Sequence, residues 1–274
     1  MPVLLVTFVT SCARPVNEES QIQVTGSDTM VNLGQAWAEA YMFESPETFI
    51  AVGGGGSGVG IAALINGTAD LAHASRSMKE KESAKAEENG IHPQEHIVGY
   101  DGLAVVVHPD NPVNELTLLQ LAKIFSGEIT NWNELGGEDL GIVLLSREVN
   151  SGTHVYFKDN VLGVAEEGTE FSENALLMPS SQSIADEVGQ NTGAIGYYGM
   201  GYISPQQRPV AVGTSEGFVL PTVANVVNKS YPIARPLFIY TNGAPEGTIR
   251  AYIDWILSES GQAVVTAQDF VPIL

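Results

Sequence analysis

Four times before residue 155, a run of β-forming residues gives way to a loop of Gly, Ser and Thr poised to open a helix. These loops are Thr25-Gly26-Ser27-Asp28-Thr29, the glycine run at 53–58 that contains Ser57, Ala74-Ser75-Arg76, and residues 146–153. A strand whose connection is a helix returns parallel to itself, so the recurrence confines the chain to the α/β class. The periodicity fills in the rest. Residues 22–24 read as a strand, and Leu33, Ala36, Trp37, Ala40 and Tyr41 keep the spacing of an amphipathic helix that Ser27 or Asp28 would cap. Strands are predicted at 49–52, 70–74, 97–107, 142–145, 193–198 and 236–240. Helices are predicted at 60–65, closed by Asn66-Gly67, at 118–125 behind the capping box Thr117-Leu118-Leu119-Gln120, after residue 153, at 183–188 and at 247–257. The prolines at 109 and 112 punctuate the chain where one lobe could pass to another.

The same loops carry the chemistry. Backbone N–H groups at helix starts have no partner within the helix, and beside Ser and Thr hydroxyls they form a cradle for a small oxyanion. Arg76 and Arg147 stand in two of these loops. Residues 53–58 also contain a G-x-G-x-x-G match between a strand and a helix, with Asp70 near the distance of a ribose contact. No acid and base set accompanies that match, and no Gly-Lys-Ser/Thr follows to make a P-loop.

Charge narrows the partners. With 32 acidic and 12 basic residues the formal charge is −20, which argues against nucleic acid, since phosphodiesters are held by clustered Lys and Arg. Distant surface charges are screened beyond about 8 Å at physiological salt, so an anion can still be held by dipoles and guanidinium groups at contact. At 274 residues and 44% hydrophobic, the chain can bury a substantial core in one large domain or two lobes.

Catalytic groups are not evident. Ser151 and His154 stand three apart at a helix start with no orienting acid, and the five histidines show no zinc spacing, with His92 and His96 flanking Pro93 in an expected loop. Glu87-Glu88 and Glu166-Glu167 read as solvated charge, and Trp37, Trp132 and Trp255 as packing residues. Residues 1–11 are apolar and small and end at Val9-Thr10-Ser11-Cys12, which resembles the lipobox of a secreted lipoprotein with Cys12 as the lipidated residue. The stretch is shorter than the ~20 residues that span a bilayer and carries no basic residue ahead of it. Cys12 is the single cysteine, so no intramolecular disulfide can form, and residues 13–20 read as a tether.

Taken in order, Thr25-Gly26-Ser27-Asp28-Thr29-Met30, residues 54–61, Ala74-Ser75-Arg76-Ser77-Met78-Lys79, Tyr100-Asp101-Gly102, residues 124–136, Ser146-Arg147, Ser151-Gly152-Thr153 and residues 193–197 resemble the phosphate-binding protein of phosphate ABC importers. The resemblance runs from about residue 21 to the C-terminus. It implies a two-lobed periplasmic-binding-protein fold of type II with two crossover strands, inorganic phosphate in the cleft and delivery to an ABC permease; the lipobox-like leader adds the expectation of a place outside the cytoplasm on a lipid anchor, and the lack of a catalytic set that of no enzymatic activity. The implied division is a leader and tether at 1–20, a first lobe made of 21–105 and 236–274, and a second lobe at 106–235.

Carried over by residue, the implied phosphate ligands are Ser27, Asp28, Thr29 and Ser57 from the first lobe and Ser151, Gly152 and Thr153 from the second. Arg76 and Arg147 would supply charge. The best-known members have Asp where this chain has Arg76, and a second Asp where it has Val149. The carboxylate that accepts the proton of hydrogen phosphate is therefore open between Asp101, placed first and expected in a turn at the end of a strand, and Asp28. An acceptor with no donor facing it would disfavour sulfate by about 1–3 kcal/mol. The alternatives carried forward are an extracellular phosphatase, a receptor for another tetrahedral oxyanion and a dinucleotide enzyme.

Overall fold

A computed structural model describes residues 21–273; Cys12 and the leader and tether lie outside them. The chain runs β1 (Gln21–Gly26), α1 (Val31–Glu44), β2 (Phe49–Gly53), α2 (Ser57–Ile65), β3 (Leu71–Ala74), α3 (Glu80–Glu88) and the long β4 (Pro93–Val107). It continues through β5 (Glu115–Thr117), α4 (Leu118–Ser126), β6 (Val143–Arg147), α5 (Gly152–Asn160), β7 (Leu176–Met178), α6 (Ser181–Gln190) and β8 (Ala194–Gly199). Then come β9 (Arg208–Pro209), β10 (Ala211–Thr214), β11 (Gly217–Val219), α7 (Val223–Val227), β12 (Ala234–Asn242), α8 (Gly247–Ile256) and α9 (Glu259–Ala267).

The strands order as β2-β1-β3-β12-β4-β8-β6-β7, with β9 also on β4 and a separate small sheet β11-β10-β5. β1 is parallel to β2 and β3, and β6 is parallel to β7 and β8, as strand–helix–strand units require. β4 and β12 join these two parallel groups. Residues 93–102 of β4 pair antiparallel with β12, whereas residues 103–107 pair with β8. One uninterrupted strand therefore leaves one half of the molecule and enters the other, and the fold is two-lobed.

Each half has its own core. Ile22, Val24, Leu33, Trp37, Leu71, Leu237 and Tyr252 pack in the first, and Leu103, Val105, Phe125, Trp132, Phe157 and Tyr197 in the second. Alternation along β4 shows why residues 103–107 form a continuous apolar run. Leu103, Val105 and Val107 face one cluster, while Ala104 and Val106 face another across the sheet. Aromatic stacking ties α5 to β8, the Phe157 and Tyr197 rings lying 3.8 Å apart at 10°.

Most of the predicted elements are present, with three corrections. The Tyr100-Asp101-Gly102 segment is no turn, because all three residues pair with β12 inside continuous β4. His96 is likewise in β4 rather than a loop, bonded through Nε2 to the Thr241 hydroxyl at 2.9 Å. Neither Ser27 nor Asp28 caps α1 through its side chain; the chain makes a 3-10 turn at Asp28–Met30 before α1. The capping box at Thr117 forms as predicted, its hydroxyl accepting from the Gln120 amide at 3.1 Å.

Candidate functional site

The small-residue loops all reach the ends of their strands at one place. β1 delivers Ser27 and Thr29, β3 delivers Ser75 and Arg76, and β6 ends on Arg147. Ser57 and the Gly152-Thr153 pair open α2 and α5. The approach of α2 to β1 depends on Gly60, where a Cβ would lie 2.5 Å from the Thr25 carbonyl oxygen. Ser27, Thr29, Ser57, Ser75, Ser151 and Thr153 are all at most 2% exposed.

Hydroxyls from the two halves meet there. The Thr29 and Thr153 oxygens are 2.7 Å apart. Ser27 Oγ donates to Ser75 Oγ at 2.9 Å, and the Ser75 amide donates to Ser57 Oγ at 3.0 Å. Gly152 presses on this group so closely that a Cβ would lie 2.3 Å from Ser57 Oγ and 2.6 Å from Ser75 Oγ. Ser151 caps α5, its hydroxyl accepting from the Thr153 amide at 3.2 Å. Backbone bonds close the seam alongside, with the Gly58 amide donating to the Asn150 carbonyl at 3.0 Å and Asn150 Nδ2 to the Gly55 carbonyl at 3.0 Å.

Three arginines are buried around these hydroxyls, each against one carboxylate. Arg147 reaches Asp28 across the seam at 3.1 Å, and donates to Ser181 Oγ and to the Met178 and Pro179 carbonyls. Burial pushes its pKa down, with Asp28 opposing that pull. The Asp28 carboxylate also accepts from the Ser181 amide at 2.7 Å, placing negative charge at the start of α6. Arg76 grips Glu82 with both terminal nitrogens, at 2.7 and 2.8 Å. Burial pulls the Glu82 pKa up, yet the hydrogen bond from Arg76 and one from the Lys79 amide hold it below the usual value. Arg76 and Arg147, the two arginines expected to supply charge to a ligand, both reach this site and are engaged there with protein acceptors.

The third arginine was not predicted. Arg235, on β12, stands directly opposite Asp101 on β4 and donates to it from Nε and Nη2 at 3.1 and 2.8 Å. Its Nη2 also donates to Thr153 Oγ1 at 2.9 Å and Thr29 Oγ1 at 3.4 Å. Asp101 is fully buried, and desolvation raises its pKa despite Arg235 and the hydrogen bond from the Met200 amide. Of the other residues sequence reasoning passed over, Ser75 sits inside the hydroxyl cluster. Tyr156 lies over the Arg235 guanidinium at 5.4 Å. A cavity of about 230 Å³ adjoins the site, lined by Arg76, Lys79, Tyr156, Asp159 and Arg235; the cluster's own hydroxyls do not line it. His154 bonds Ser146 Oγ through Nδ1 at 3.2 Å, while the Ser151 hydroxyl bonds the Thr153 amide.

A family model described as a PBP superfamily domain matches residues 13–260. The phosphate-binding protein PstS of Pseudomonas aeruginosa is 34% identical over 267 residues, covering 90% of this chain and 81% of that protein. PstS of Bacillus subtilis is 33% identical over 253 residues, covering 92% and 80%. The chain belongs to the phosphate-binding protein family of the PBP superfamily. Among solved structures of the family, a phosphate ABC transporter substrate-binding protein from Clostridium perfringens with bound phosphate superposes with a TM-score of 0.83 at 33% identity, covering 93% of this chain and 100% of that one. An ABC-type phosphate transport receptor from Vibrio cholerae superposes at 0.73 and 30% identity, covering 91% and 99%. Both match the two-lobed arrangement seen here.

Proposed function

We propose that this chain is the extracytoplasmic receptor of a phosphate ABC importer, holding inorganic phosphate between its halves and passing it unaltered to the permease. The observation that carries the reading is the convergence of Ser27, Thr29 and Ser57 with Gly152 and Thr153 at contact distance, every hydroxyl buried. Phosphate entering there exchanges hydroxyl-to-hydroxyl bonds for charge-assisted ones, which are roughly twice as strong. The amides at the starts of α2 and α5 add donors and a favourable dipole. Ser151 serves by capping α5, and Arg147 with Asp28 serves by tying β6 and α6 to the loop after β1.

The lobes divide, in this reading, where β4 changes partner, giving a first lobe of 21–105 with 236–274 and a second of 106–235. For the proton of hydrogen phosphate, the carboxylate oxygen must have no donor facing it. Asp101 accepts at Oδ1 from Met200 and at Oδ2 from Arg235, whereas Asp28 takes its bonds at Oδ2 and leaves Oδ1 open. That reverses the order in which the two were placed, and Asp28 is the proposed acceptor. Cys12 as a lipid attachment would put the receptor at the outer membrane surface beside its permease; no helix among the described residues is long and apolar enough to cross a membrane.

Equilibrium dialysis against orthophosphate, arsenate and sulfate, with a phosphomonoester hydrolysis assay on the same sample, tests the proposal. Retention of one phosphate per chain, weaker retention of sulfate and no hydrolysis are expected. Turnover of the ester would favour the phosphatase reading, and no retained phosphate would remove the receptor reading.

A further inference from the structure

Among the described residues three arginines are buried, and of these Arg235 alone keeps a whole terminal guanidinium nitrogen without a partner. Arg147 directs Nε and both terminal nitrogens at protein acceptors, and Arg76 does so with both of its terminal nitrogens. Arg235 uses Nε and Nη2, and its Nη1, with two N–H donors, is buried with nothing to accept from it. A buried donor left without an acceptor is costly, so a chain that keeps one beside an oxyanion cradle points to an acceptor supplied from outside.

We propose that Arg235 is the guanidinium that contacts the bound oxyanion, and that it couples ligand charge to closure of the two lobes. The assignment rests on the phosphate-receptor reading and goes beyond it by naming the cation and its second task. Position gives that task its basis. Arg235 stands on β12, which with β4 joins the two parallel groups of strands, and its Nη2 touches one threonine hydroxyl from each half. Asp101, its cross-strand partner, fixes the plane of the fork, and Tyr156 from α5 covers its face while donating to the Ala234 carbonyl at 2.7 Å. Arg235 also lines the cavity of about 230 Å³, together with Arg76 and Lys79, so cationic side chains gather on that side of the guanidinium. An oxyanion accepting from Nη1 and from the Thr29 and Thr153 hydroxyls would be bonded at once to the strand and to both halves.

The test is calorimetric titration with orthophosphate, paired with thermal unfolding, on wild type, Arg235→Lys and the double variant Asp101→Asn/Arg235→Met. The double variant removes both charges, because deleting one partner of a buried pair leaves the other uncompensated and threatens the fold. Phosphate affinity is expected to fall at least ~10-fold in Arg235→Lys, which keeps a cation opposite Asp101 but lacks the fork. A loss of at least ~100-fold is expected in the double variant, with its melting temperature within about 5 °C of wild type. Either variant folded and binding within about 3-fold of wild type would overturn the assignment. Should the double variant not fold, Arg235→Lys alone decides. A wild type that binds no phosphate would instead remove the receptor reading beneath it.

Discussion

At the scale of single residues, the cleft pairs each buried cation with a carboxylate, and the consequences differ by pair. Asp28 offers one oxygen to Arg147 and the Ser181 amide and leaves the other without a donor. Replacing it with Asn puts a donor at that position and lowers the phosphate-to-sulfate affinity ratio by about tenfold, corresponding to ~1.4 kcal/mol, in competition dialysis. An unchanged ratio would exclude Asp28 as the proton acceptor. His73 makes a separate prediction. Its ring packs edge-on to Trp37 and against Gly34, and burial holds its pKa near 4 rather than 6.5. The unfolded chain therefore binds a proton between pH 6.5 and 4 that the folded chain refuses, so this contribution to stability is complete above 6.5 and is lost as pH falls through the window. Urea unfolding should show wild type losing ~2 kcal/mol more than His73→Leu between pH 7 and 4.5. Parallel profiles would contradict it. Asp101, with its pKa raised, acts with the opposite sign in its own range.

At the scale of elements, what positions the site is the way helix starts abut the other half. α5 begins on Gly152, and an alanine there would drive a Cβ to 2.3 Å from Ser57 Oγ in α2. The clash falls between the halves rather than within a core. Gly152→Ala should therefore weaken phosphate binding by about tenfold or more while moving the melting temperature by less than about 4 °C, measured by titration and calorimetric scan. A large loss of stability with binding intact would mean that Gly152 serves packing alone. This scale also marks what could be read in advance. Strand–loop–helix units were legible because their punctuation is local: small residues at the turn, a capping box at Thr117, Asn66-Gly67 at the end of α2. Pairing at long range was not. Asp101 and Gly102 look like turn residues, but β12 and β8, about 100 residues or more away, hold that segment extended, an override of local propensity by the sheet. Arg235 was missed for the same reason, since its partner Asp101 is separated from it by 134 residues. α9 follows α8 after only Leu257 and Ser258, too short a break to separate from the apolar pattern ahead of it.

At the scale of the whole molecule, a chain with net charge −20 keeps its anion chemistry by sorting charge between surface and interior. Among the described residues, the buried charged side chains apart from histidine are Arg76, Arg147, Arg235 and Asp101, all at the seam. The exterior acids are screened by salt; the interior guanidiniums act at contact. The lobes meet through hydroxyls and amides contributed from both sides, and β4 and β12 are the two strands on which they could hinge. The central claim is that one phosphate is clasped from both sides at once. Amide hydrogen exchange with and without orthophosphate measures this most directly. Added phosphate should slow exchange together at 27–30 and 57–58 in the first half and at 152–153 in the second, with arsenate behaving alike and sulfate requiring higher concentration. Protection confined to one half, or none at saturating phosphate, would contradict the account.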